Sequence, residues 1–169
     1  IRSVNLSKSV TRVVVTSSIA AVVSESNFDE MVNRPVIYED RYPDSDNPRL
    51  AGYSRSKQQT ERFFSDAAEA SGSWDSITCC PADNVGPIQS AHQGDRGPWQ
   101  GLMKKMLQGE CNPAVHGYRP WHTVDVRDTC TVQIAILESV MVKNGERFIA
   151  CNTNKIDVEE VCARIDRLL

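Results

Sequence analysis

The sequence has no long hydrophobic run and no excess of positive charge. Of its 169 residues, 40% are hydrophobic, but polar residues interrupt every apolar stretch before the ~18 residues that read as a membrane-spanning helix. Lysine and arginine number 19 against 22 acidic residues, which gives a net charge of −3 and a pI near 5.6. A basic surface for nucleic acid is therefore not expected. These absences favour a protein with no membrane span and no nucleic-acid partner.

Paired cysteine motifs are also absent. No C-x-x-C occurs, and five of the six cysteines lie in apolar runs or helix patterns. Buried free thiols in a reducing compartment are the interpretation that this distribution favours over a disulfide framework. No signal peptide is visible, so a cytoplasmic location is predicted, with an organelle left open if a targeting segment was removed.

The three histidines carry no metal-ligand pattern. His92, His116 and His122 have no ligand-like spacing with cysteines or carboxylates. The sequence therefore predicts no metal site.

Two short apolar runs, with a helical pattern between them, form the centre of the chain. Residues 12–22 end in hydroxyl-bearing side chains, and residues 76–81 end at a proline. The helix between them is expected to bury the adjacent pair Phe63 and Phe64 in the core, with packing against a partner as the alternative, and to end at Gly72. Strand, helix and strand make one βαβ unit, which implies parallel strands.

A tyrosine and a lysine stand four residues apart at the start of that helix. Tyr53 and Lys57 would share one helical face, and a neighbouring ammonium lowers the pKa of a phenol. Ligands of open α/β sheets bind beyond the carboxyl ends of the strands. Ser18 lies at the end of the first strand and Pro81 at the end of the second, so both would face the same crevice.

Outside the central βαβ unit, the sequence predicts a loop and further strands and helices. Residues 24–52 are predicted to be a loop, and residues 121–126 a strand. Asp125 or Asp128 would cap a helix reaching Met141, with Val132, Ala135, Ile136 and either Ser139 or Val140 on its inner face. Residues 147–151 read as a strand, and residues 157–160 read as a capping box that opens a last helix.

Taken together, these motifs resemble the extended short-chain dehydrogenase/reductases, and within them the dihydroflavonol reductase and cinnamoyl-CoA reductase group. The resemblance rests on VVVTSSIAAV at residues 13–22, YSRSK at residues 53–57, PADNVGP at residues 81–87 and VDVRD at residues 124–128. The spacing from Ser18 to Tyr53 is similar to that of this group. Motif order and context are what make such a match specific.

The resemblance implies an α/β fold, namely the C-terminal part of a Rossmann-type doubly wound parallel sheet plus a small substrate-side α/β region. Residues 1–87 would be the second half of the dinucleotide-binding fold, and residues 88–169 the substrate-side region. The family's glycine-rich phosphate-binding turn has no counterpart here. The nearest candidate, residues 94–97, follows no strand and reads as a surface turn.

The same resemblance gives the site residues their expected roles. Tyr53 would be the general acid for a carbonyl oxygen, Ser18 a hydrogen-bond donor to that oxygen, and Lys57 the residue that lowers the Tyr53 pKa and holds the nicotinamide ribose. Ser17 is the alternative to Ser18. The cofactor, NADP or NAD, would be bound by Thr16, Tyr53, Lys57, Pro81 and Val85.

Two functions are expected from these features. The first is an NAD(P)H-dependent carbonyl reductase or alcohol dehydrogenase acting on a small-molecule carbonyl substrate, of which this chain is the C-terminal part. The second is a catalytically inactive, reductase-like structural subunit of a larger assembly. Since an uncovered sheet edge promotes association, a homodimer or a partner chain covering the missing half-sheet is also expected.

Overall fold

The computed structural model describes residues 1–23, 37–48, 50–108, 110, 122–153, 160, 163–164 and 166–167. Its elements, in chain order, are helix α1 (Arg2–Leu6), strand β1 (Arg12–Thr16), a 3-10 turn (Ile19–Ala21), helix α2 (Gly52–Ser71), strands β2 (Asp75–Pro81) and β3 (Asp83–Val85), helices α3 (Ala91–Arg96) and α4 (Pro98–Leu107), strand β4 (Thr123–Asp125), helix α5 (Val126–Glu138) and strand β5 (Arg147–Ala150). The predicted last helix begins outside the described residues.

Contacts divide the chain into two compact units. The first contains Ile1–Ala82 and Asp128–Ala150, and the second contains Asp83–Arg127 and Cys151–Leu169. This division follows tertiary contacts, and the functional division into residues 1–87 and 88–169 stays a prediction.

The first unit contains a three-stranded parallel sheet in the order β1-β2-β5. The β1–β2 register runs from Arg12 opposite Asp75 to Thr16 opposite Cys79. Successive side chains of a strand point to opposite faces, and Cys80 contacts Glu61 of α2. The other face carries Thr16, whose Oγ1 accepts a hydrogen bond from Gln133 of α5 at 2.9 Å. Helices therefore cover both faces, and the predicted α/β fold with its parallel crossover is confirmed.

The second unit contains a two-stranded parallel ladder of β3 and β4. Asp125, at the end of β4, accepts a hydrogen bond from the Arg127 backbone N–H at 2.8 Å and so caps the start of α5. The sequence left Asp125 and Asp128 open as caps, and the structure selects Asp125. The Arg127 guanidinium and backbone N–H both bond this carboxylate and lower its pKa to about 2.

The inner face of α2 differs from the prediction. Its buried residues are Ser54, Gln58, Glu61 and Ala68. Phe63 is 64% exposed, so its assignment to the core is wrong. The reason is helical geometry: Phe63 is two residues, or about 200°, from the buried Glu61, whereas its neighbour Phe64 lies closer to the inner face.

The predicted end of α5 is also corrected. The helix ends at Glu138 rather than continuing to Met141. The guanidinium of Arg12 donates to the carbonyl oxygens of Ile136, at 3.0 Å, and of Ser139. A cation at a helix C-terminus satisfies free carbonyls and interacts favourably with the helix dipole. Arg12 thereby fixes where the helix stops.

On α5 itself the predicted inner face is partly right. Ile136 is buried and Val132 is half-buried, but Ala135 is exposed. Val140 lies beyond the helix end and is 92% exposed. Because the helix ends three residues early, the 3.6-residue periodicity no longer constrains this position.

Gly72 ends α2 as predicted, in the left-handed region with φ 62°, and its N–H donates to Ala68 at 2.9 Å. No heavy atom lies within 4 Å of a Cβ built at this position.

Gly72→Ala should therefore lower the free energy of unfolding through the backbone alone, by about 1 kcal/mol, as measured by urea denaturation. Gly52→Ala is the matched control, since Gly52 has equal space and no positive φ. Equal stability of the two variants would contradict the left-handed cap.

Candidate active site

The carboxyl end of β1 presents two serines with different environments. Ser17 is buried, and its hydroxyl donates to the Glu61 carboxylate. Ser18 is half-buried, and its Oγ accepts a hydrogen bond from the Ala20 N–H at 3.2 Å, which caps the 3-10 turn. Accepting that bond leaves the Ser18 proton available for donation, whereas the Ser17 proton is already donated. The local chemistry therefore favours Ser18 over Ser17 as a donor to a ligand.

Tyr53 and Lys57 lie one turn apart in the first two turns of α2. The Lys57 Nζ is 5.7 Å from the centroid of the Tyr53 ring, which is within cation–π range. The same ammonium donates to the Thr16 backbone oxygen at 3.2 Å. Tyr53 is 59% exposed. Lys57 thus connects the end of β1 to the tyrosine, and three of the predicted residues meet at one strand end.

Pro81 and Val85 lie at the ends of two other strands. Pro81 is the last residue of β2, opposite Ala150 of β5, and it is buried. Val85 ends β3 in the second unit. Their roles as cofactor contacts stay predictions, as do the roles assigned to Thr16, Ser18, Tyr53 and Lys57.

Sequence analysis did not single out a buried ion pair behind these residues. Arg147 Nε lies 2.8 Å from Glu61 Oε2, and the two side chains are only 5% and 2% exposed. Glu61 stands four residues after Lys57, a spacing that could have placed it on the helix. Nothing in the strand sequence that begins with Arg147 marks it as the partner.

The guanidinium of Arg147 also holds the segment that precedes α2. It donates to the backbone oxygens of Glu39, at 2.5 Å, and Arg41, at 2.7 Å. Its centre lies 3.8 Å from the Tyr42 ring centroid. Gln58 of α2 adds a hydrogen bond to the Pro43 oxygen at 3.1 Å. Residues 37–48 are therefore attached to the buried face of α2 and to β5.

The cysteines of β2 do not contribute a nucleophile. Burial raises the pKa of the Cys79 thiol to about 11. Burial, and next the Glu61 charge, raise the pKa of the Cys80 thiol to about 12. Both groups are protonated at neutral pH, and the thiolate is the reactive form. All four described cysteines, which also include Cys130 and Cys151, are free.

The described part of the chain contains no cluster of three or more metal-binding side chains. Within the same residues, no helix combines the length and the apolar character that crossing a membrane requires.

Solved structures with the same fold include an epimerase, a dehydratase and an NADPH complex. The chain superposes on UDP-glucose 4-epimerase from Thermotoga maritima, with UDP-glucose, at a TM-score of 0.66 and 18% identity, covering 95% of this chain and 48% of that one. For RMD from Pseudomonas aeruginosa, complexed with NADPH, the TM-score is 0.61 at 17% identity, over 91% of this chain and 49% of that one. For dTDP-glucose 4,6-dehydratase from Bacillus anthracis, complexed with NAD, it is 0.61 at 17% identity, over 93% and 45%.

No family model matches the chain. No curated protein matches it either. The chain spans less than half the length of each of the three solved structures.

Alkylation should separate the buried thiols of β2 from exposed Cys130. Treated with iodoacetamide at pH 8, the folded protein should react rapidly at Cys130 and slowly at Cys79 and Cys80, because burial and raised pKa values withhold the thiolate. Peptide mass spectrometry measures each site. Raising the pH to 10 should leave Cys80 largely protected, since its pKa of about 12 is still higher. Comparable rates at Cys80 and Cys130 would contradict this burial.

These structural likenesses, at low sequence identity, concern the fold. The chain has the Rossmann-type α/β fold, with parallel strands, that is found in these solved structures, two of which contain NADPH or NAD.

Proposed function

We propose that the protein carrying this chain is an NAD(P)H-dependent carbonyl reductase or alcohol dehydrogenase of the extended short-chain dehydrogenase/reductase type, similar to the dihydroflavonol and cinnamoyl-CoA reductases. The observation that carries the proposal is the position of Lys57, whose ammonium lies 5.7 Å from the Tyr53 ring centroid and donates to the Thr16 oxygen, two residues before Ser18. The structural neighbours solved with NADPH and NAD support the choice of cofactor class.

The residues present fit the nicotinamide end of such a cofactor. The Lys57 ammonium carries three N–H donors, and one of them is directed at Thr16. The others can hold ribose hydroxyl groups at the strand end, beside an exposed phenol. The glycine-rich turn that cradles the pyrophosphate is not in this sequence. The proposal therefore concerns the whole protein, of which this chain would supply the reacting half of the site.

The bound nicotinamide supplies or accepts the hydride. Tyr53 donates a proton to the carbonyl oxygen on which negative charge develops. The Ser18 hydroxyl donates a hydrogen bond to the same oxygen from a turn that is already formed. Lys57 lies beside the phenol, with its Nζ 5.7 Å from the Tyr53 ring centroid.

Tyr53→Phe tests the proposal in the whole protein. Loss of the proton donor should lower kcat by about 10²–10⁴-fold, with NADPH binding retained. The assay follows NADPH oxidation with benzaldehyde, cinnamaldehyde and acetophenone, and it follows NADPH binding by fluorescence. Thr60→Ala is the control, because it removes a hydroxyl from the exposed side of the same helix.

Substantial residual reduction by Tyr53→Phe would reject the assignment of the general acid. A wild-type protein that neither binds NADPH nor reduces any carbonyl would instead favour the inactive structural subunit. The observation that supports this alternative is the exposure of Phe63 on the same helix, because an apolar side chain in solvent could pack against a partner chain.

A further inference from the structure

The turn that carries Ser18 is held on both sides by one buried ion pair. On the N-terminal side, the Glu61 carboxylate accepts the hydroxyl proton of Ser17. On the C-terminal side, the Arg147 guanidinium donates to the backbone oxygen of Ala21 at 3.3 Å. Glu61 and Arg147 are themselves 2.8 Å apart. Ser18 thus lies between two contacts of the same pair, although neither member touches it.

We propose that Glu61, through its ion pair with Arg147, is a positioning residue for the Ser18 hydroxyl, and that the same pair fixes residues 37–48 beside the site. The inference rests on the proposed function for its catalytic consequence. It assigns Glu61 and Arg147 no contact with substrate or cofactor.

The hydrogen-bonding inventory of Arg147 supports this role. Its guanidinium has five N–H donors in a rigid plane. Those of the two terminal nitrogens reach three backbone oxygens, those of Ala21, Glu39 and Arg41. The Nε atom lies 2.8 Å from the Glu61 carboxylate as an ion-pair contact. A lysine, as a point charge on a flexible stem, could not satisfy these acceptors together. The planar guanidinium therefore determines the relative positions of the Ser18 turn and residues 37–48.

Burial of the ion pair holds Glu61, Arg147 and the Ser18 turn in one arrangement. Because both charges are almost fully buried, either one is strongly unfavourable without the other. The Ser17 backbone is held as well, since its N–H donates to the Cys79 oxygen at 2.7 Å. Ser18 cannot shift toward solvent without breaking a contact on one side of it.

The double variant Glu61→Leu/Arg147→Met separates positioning from folding. Replacing a buried ion pair by apolar side chains of similar volume often leaves a protein equally stable. The double variant should therefore still fold, with a melting temperature somewhat below that of the wild type because the Ser17 hydroxyl and three backbone oxygens lose their partners. The KM for NADPH should be unchanged. We expect kcat for the best of the three test carbonyls to fall by on the order of tenfold to a hundredfold, because the donor is misplaced.

Amide hydrogen exchange without substrate gives a readout that does not depend on activity. Exchange in residues 17–22 and 38–42 should be faster in the double variant than in the wild type. Ser17→Ala is the mild variant: it removes only the hydroxyl that reaches Glu61, so it should lower kcat and speed exchange in residues 17–22. Glu69→Gln is the control, because it changes an exposed carboxylate on the same helix and should match the wild type in both assays.

If the double variant is well folded, a kcat equal to that of the wild type would overturn the positioning role. If it does not fold, Ser17→Ala takes its place, and a wild-type kcat in that variant would overturn the same role. Unchanged exchange in residues 38–42 would overturn the role of the pair in fixing that segment. Failure of the proposed function gives a different result. An inactive wild type rejects the reductase, removes the catalytic consequence and leaves exchange to decide on the attachment of both segments. An active Tyr53→Phe rejects only the general acid, and kcat of the double variant still tests the positioning role.

Discussion

The buried ion pair between Glu61 and Arg147 is the interaction on which the site face of the sheet depends. Bringing two charges out of water costs several kcal/mol each, and the attraction between them offsets this only when the geometry is good and the remaining donors are satisfied. Here the carboxylate also accepts from Ser17, and the guanidinium donates to three backbone oxygens. Removing one partner alone would leave an uncompensated buried charge, at a typical cost of about 3–5 kcal/mol.

One helix serves both this pair and the chemistry. In α2, Tyr53, Lys57 and Glu61 are spaced by four residues, and each step of four rotates the side chain by about 40° around the helix axis. The side chains pass from exposed, through half-buried, to 2% exposed along that series. The same regular spacing therefore places a phenol in solvent, an ammonium at the strand end and a carboxylate in the interior. A rigid helix transmits the position of the buried carboxylate to the exposed phenol.

The opposite face of the sheet is organised by a second arginine. Arg12 donates to carbonyl oxygens at the end of α5 and lies 3.5 Å from the Asp75 carboxylate of the neighbouring strand. Each arginine thus attaches a segment that is distant in sequence to a parallel strand: Arg12 fixes a helix end, and Arg147 fixes the segment before α2. In both cases the planar guanidinium satisfies several backbone oxygens that a strand partner does not reach.

The sequence by itself determined the features that depend on short spacings. The apolar runs and the helical period predicted the parallel βαβ unit, Gly72 predicted the end of α2, and the motifs selected Ser18, Tyr53 and Lys57 as candidates. Only the tertiary structure decided which partners lie across the sheet. It buried Glu61 against Arg147, left Phe63 in solvent, engaged Ser17 rather than Ser18, and ended α5 at Glu138. The physical reason is that periodicity fixes which residues share a face, whereas the partner that makes burial of a charge favourable comes from a distant segment that no local pattern identifies.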